Sequence, residues 1–73
     1  MIVKIQNRRQ AGENVYYDAT FFHQIADDLV QDDLILGGIV FHKNVTNQQI
    51  ENWVTESFPY WFNEQIINQI IIN

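Results

Sequence analysis

Asp18-Ala19-Thr20-Phe21-Phe22-His23-Gln24-Ile25-Ala26-Asp27-Asp28-Leu29-Val30-Gln31 is the segment on which the architecture turns. Phe22, Ile25, Ala26 and Leu29 recur at three- and four-residue steps, flanked by Phe21 and Val30. His23, Gln24, Asp27, Asp28 and Gln31 fall on the other side. That periodicity predicts an amphipathic helix over residues 19–31. Asp18 is placed to cap it, and Tyr17 with Phe22 fits the hydrophobic staple at a helix N-terminus. The helix either stops at Asp32-Asp33 or runs through Leu34-Ile35-Leu36 to a C-cap at Gly37 or Gly38. Acids in a last turn oppose the helix dipole, which favours the earlier stop.

Upstream, residues 2–6 alternate, with Val3 and Ile5 on one side and Ile2, Lys4 and Gln6 on the other. This is a strand with one buried face. Asn7 to Asn14, with Gly12, reads as a loop, and Val15-Tyr16-Tyr17 as the returning strand of a hairpin. Downstream, Ile39-Val40-Phe41-His42 is a β-branched and aromatic run, a strand that can begin near Leu34. Gly37-Gly38 then marks a bulge or a close backbone approach.

The sharpest local signal is Thr46 with Gln49, a capping box, with Val45 and Ile50 as its staple. Ile50, Trp53, Val54 and Ser57 form one stripe, so a helix covers 47–57 and Pro59 breaks it. Tyr60 to Ile72 fits a further helix, with Phe62, Ile66 and Ile70 in one row. The isoleucines of Gln65–Ile72 make a strand the competing reading there. The expected order is β-β-α-β-α-α: one α+β domain over 1–73, with about three strands and the helices on one face.

Composition narrows the function. The chain has 73 residues, 47% of them hydrophobic, and no cysteine. Size scaling gives about 4,700 Å² of folded surface against about 12,600 Å² unfolded, a thin core. Disulfides and thiolate metal sites are excluded, leaving a second subunit or tight packing as the source of extra stability. The net charge is −5, but Lys4, Arg8 and Arg9 make the first ten residues positive. A direct nucleic-acid binder would carry a basic stripe over a large face, so that partner is not expected. No apolar run approaches the ~20 residues of a membrane span, and Met1–Gln6 is not a signal peptide. A cytoplasmic protein without membrane contact is the expectation.

Chemistry has little to stand on. His23 and Asp27 share a face of the first helix, but two ligands make no zinc site. His42 is tied to no nucleophile or acid by any pattern, and Gly37-Gly38 lacks the spacing of a phosphate loop. No enzyme activity, cofactor or metal is expected. Two features remain. Asp27, Asp28, Asp32 and Asp33 form an acidic face that can imitate spaced phosphates, or simply keep the surface solvated. Phe58-Pro59-Tyr60-Trp61-Phe62, preceded by Trp53, is an aromatic block too dense for one helix face. It turns into the sheet, into a second subunit or onto a partner.

The expected function is therefore a non-enzymatic protein-interaction module, a homodimer that binds or occludes an unidentified partner protein. The alternatives are an acidic nucleic-acid mimic that inhibits a DNA-binding enzyme, and a structural subunit of a larger assembly. Accessory proteins of phages and mobile elements share this size and composition, which is analogy alone.

Overall fold

The computed structural model describes residues 1–73. Strand β1 (Ile2–Ala11) is followed by β2 (Asn14–Ile25), β3 (Asp28–His42), helix α1 (Asn47–Ser57), helix α2 (Pro59–Asn63) and strand β4 (Gln69–Ile72). The class is α+β, but the sheet has four strands, in the order β3-β2-β1-β4. The first three form an antiparallel meander, and β4 returns parallel to β1, making the sheet mixed.

The expected helix over 19–31 is instead the second hairpin. Val15, Tyr17, Ala19 and Phe21 are buried on one face of β2, a strict period of two that continues the Val3 and Ile5 face of β1. Aromatic and β-branched residues in that alternation suit a pleated surface and outweigh the short run of helical spacing. Asp18 is therefore a strand residue and caps nothing. The turn is Ala26-Asp27, between the paired residues Ile25 and Asp28, with Ala26 in the left-handed region at φ 53°. The first hairpin turns the same way at Gly12-Glu13, with Gly12 at φ 61°. Asn7–Ala11 and Asn14 thus extend the strands rather than forming a long loop.

Helix α1 matches its expectation to the residue. The Gln49 amide donates to Thr46 Oγ1 at 3.2 Å, and the Thr46 amide donates to Gln49 Oε1 at 3.0 Å. Ile50 and Val54 are its buried residues. Pro59 opens α2, which lasts five residues, so the longer helix over 60–72 is not formed. Ile70 and Ile72 instead pair in register with Val3 and Ile5. Alternate isoleucines thereby join the buried face, which a helix running away from the sheet would not achieve.

Both helices pack on the face that carries Val3, Ile5, Val15, Tyr17, Ala19 and Phe21, and these join Ile50, Val54 and Ile67 in one core. Phe21 is fully buried at its centre, with Phe58 and Trp61 edge-on at ring separations of 5.7 and 5.6 Å. No helix is long and apolar enough to cross a membrane.

Bulges shape the sheet. Gly37 and Gly38 stand opposite Asp18 alone, the bulge being one of the two readings of the glycine pair, and Gly38 has φ 67°. Asn7 and Arg8 form a second bulge opposite Tyr17, with Asn7 at φ 61°. The Asp18 carboxylate ties both bulges together. It accepts from Asn7 Nδ2 at 3.1 Å, Arg9 Nη2 at 3.1 Å and the Gly38 amide at 3.2 Å. The Asn7 bond foremost, then the Gly38 amide and Arg9, hold its carboxyl below the ordinary value of 3.8.

Candidate functional site

The β2–β3 hairpin outruns the core. Phe21 is the last fully buried residue of β2, and from His23 to Gln31 every residue is exposed. The result is an arm at one end of a molecule 42 Å long and 22 Å wide. The arm is apolar on both surfaces: Ile25 is 58% exposed, Leu29 45% and Val30 46%. Ile25 and Val30 lie on the helix side of the arm and Leu29 on the other.

The four aspartates of the acidic face lie on this arm, not at a helix end. Asp27 is in the turn and Asp28 begins β3. Asp32 and Asp33 sit in the irregular stretch between Gln31 and Ile35, where three residues of β3 face Phe21 alone. Asp32 is committed: its carboxylate accepts from His23 Nε2 at 2.7 Å and from the Leu34 amide at 2.8 Å. The His23 bond first, and then the Leu34 amide, hold it below the usual carboxylate range. His23 thus meets Asp32 across the hairpin rather than Asp27 along a helix. No three His, Asp or Glu side chains come together as a metal-binding group.

The aromatic block divides. Phe58 and Trp61 stack at 5.1 Å and close over Phe21, and Trp53 packs edge-on to Phe41 at 5.9 Å. Phe62 also leans on the core, whereas Tyr60 is 66% exposed. Pro59 makes this possible by turning the chain between Phe58 and Trp61. Most of the aromatic surplus is therefore packed against this chain's own sheet. Trp61 also has a second environment. With Leu34, Ile66 and Met1 it lines a groove of about 340 Å³ under the base of the arm, and the His23–Asp32 pair is part of the same lining.

Beyond the groove, the helix side of the arm carries Val30, which pairs with His23, and Ile25, which pairs with Asp28. The groove was not foreseen, because it exists only once residues 18–31 form a hairpin. The exposed isoleucine and valine between aspartates were its visible trace. At the other end of the molecule, Glu13 bridges Lys43 at 3.1 Å and His42 at 3.6 Å, all on exposed side chains. Comparison with protein-family models, curated proteins and solved structures finds no match to this chain.

Proposed function

We propose that the chain is a non-enzymatic interaction module that grips a partner protein in the groove between the arm and α2. The observation that carries this reading is the groove walled by Trp61, Leu34 and Ile66, with Val30 and Ile25 exposed on the same side of the arm beyond the His23–Asp32 pair and Asp27 and Asp28 beside them. An arrangement of that kind suits a partner segment with an apolar anchor and neighbouring Lys or Arg side chains. The anchor supplies desolvation, and the aspartates steer the approach and select the sign of charge. The partner's own activity would be blocked by occlusion, because the segment held in the groove is masked from its other contacts. The rival reading, carboxylates standing in for nucleic-acid phosphates, has weaker support. Asp32 is already bound to His23, and the other three share the arm with exposed aliphatics.

Ile25→Asp/Val30→Asp tests the proposal without touching the core. Proteins retained from the native host by the wild type and lost by this variant are purified and titrated individually. A peptide carrying a single leucine between lysines serves as a minimal probe by amide chemical shifts. Shifts grouped at residues 21–34 and 60–66, lost in the variant and reduced by salt, are expected. Partners that bind wild type and variant equally would sink the proposal.

A further inference from the structure

The helices cover one face of the sheet only. On the other face alternation places Ile2, Phe22, Leu29, Ile35 and Val40, with Ile35 55% and Val40 53% exposed. We infer that a second copy of this chain seats on this helix-free face, with its strands reversed, so that the arm of each copy lies over the opposite end of the other.

Area, symmetry and charge converge on that occupant. The sheet comprises 41 strand residues. At ~3.3 Å along and ~4.8 Å across each, one face presents about 650 Å², so two faces bury at most about 1,300 Å² in all. That is the lower end of specific, stable interfaces. The exposed aliphatics of β3 are also nearly symmetric about its middle. Ile35 is the central residue of Asp28–His42, with Leu29 six residues to one side and Val40 five to the other. A two-fold axis across the strands at Ile35 therefore brings Leu29 of one copy towards Val40 of the other, and the two Ile35 side chains together. Isologous interfaces require this self-complementarity.

Charge chooses the direction. Asp27 lies in the turn at the end of the arm, whereas Arg9 pairs with Tyr16 on the helix-free face, roughly 30 Å away along the strands. Stacking with arms together would set acid over acid. Reversal separates the two Asp27 carboxylates and sets each towards the end that carries Arg9. Lys4 is the one cation near the axis. Its ammonium lies 4.5 Å over the Phe22 ring, displaced towards the arm, so the two copies' lysines move apart rather than meet. The partner groove is on the opposite, helix side, and both surfaces can be filled at once.

The test uses light scattering after size exclusion, together with cysteine cross-linking in a chain that has none of its own. The wild type should elute at twice its 8.7 kDa mass. Ile35→Glu should weaken association at least tenfold while keeping the circular dichroism spectrum, and Ile25→Asp on the helix side should not. A mixture of Leu29→Cys and Val40→Cys chains should form a mixed disulfide dimer in preference to either like pair. A wild type that stays monomeric at 100 µM (about 1 mg/ml) overturns the inference, as does a dimer that Ile35→Glu leaves intact. Preferential 29–29 linkage overturns the reversed arrangement. None of these outcomes depends on binding at the groove, so this inference and the proposed function fail separately.

Discussion

Ala26→Gly should make the protein more stable, and Gly12→Ala should make it less stable by a similar amount. The two residues occupy equivalent places, each the first residue of a two-residue hairpin turn, at φ 53° and 61°. An L-residue in the left-handed region costs about 1–2 kcal/mol. Glycine escapes that cost but gives the unfolded chain extra freedom, about 0.4–1 kcal/mol. The balance is a gain of about 0.5–1 kcal/mol for Ala26→Gly. At Gly12 an added Cβ meets nothing within 4 Å, so no clash complicates the reverse change. In a domain of this size such a difference moves the melting temperature by about 3–6 °C. Thermal unfolding followed by circular dichroism, with urea midpoints as a check, measures both variants. The sign is the decisive part. If residues 19–31 were helical, as their spacing suggests, glycine at Ala26 would cost about 1 kcal/mol. A lower melting temperature for Ala26→Gly would therefore refute the hairpin and the arm with it.

Two further substitutions probe the frame that holds the site. Thr46→Ala removes the acceptor of the Gln49 amide and should cost about 1 kcal/mol, seen as a melting temperature several degrees lower. An unchanged melting curve would contradict the capping role. Asp18→Asn removes the charge that joins the Asn7 and Gly38 bulges. The folded-state pKa of Asp18 is depressed, so its stabilisation is present above the ordinary value of 3.8 and is lost as pH falls through the lower folded value. The wild-type urea midpoint should therefore drop between pH 5 and pH 2, and the drop should be smaller in Asp18→Asn, which starts lower. Equal drops in the two proteins would show that Asp18 is not a source of the acid sensitivity.

Legibility in the sequence followed how local each signal was. Thr46, Gln49 and the stripe of Ile50 and Val54 are complete within twelve residues, and α1 was placed to the residue. Gly37-Gly38 pointed to a bulge or a close backbone approach, and the structure has a bulge there with Gly38 at φ 67°. Val3 and Ile5 showed their buried face because β1 alternates over the core. The failure at residues 18–31 has a different cause. Alternation reports a difference between two faces, and beyond Phe21 the arm has no such difference, since both faces are exposed. Phe22, Ile25, Ala26 and Leu29 were then free to imitate a helical step. The turn gave no warning, because alanine stands where Gly12 marks the equivalent turn of the first hairpin. β4 was obscured similarly. Its four residues are too short for a period to declare itself, and only pairing with β1 separates Ile70 and Ile72 from Ile71.

The aromatic surplus and the acidic run, read separately, suggested competing contact surfaces, and the fold relates them. Phe21 ends the buried part of β2, and the aromatics that close over it, Phe58 and Trp61, define where the core stops. Everything beyond is arm, and the acids are there because that is where solvent reaches the hairpin from both sides. Trp61 therefore has two roles on its two sides, core against Phe21 and groove wall beside Leu34. Truncating it would conflate stability with the proposed binding, since one side chain faces both the core and the groove. Ile25 and Val30 have no such double duty: each is about half exposed, and neither belongs to the core. The proposed binding can be tested there apart from stability, at the end of the arm where the sequence pattern was least informative.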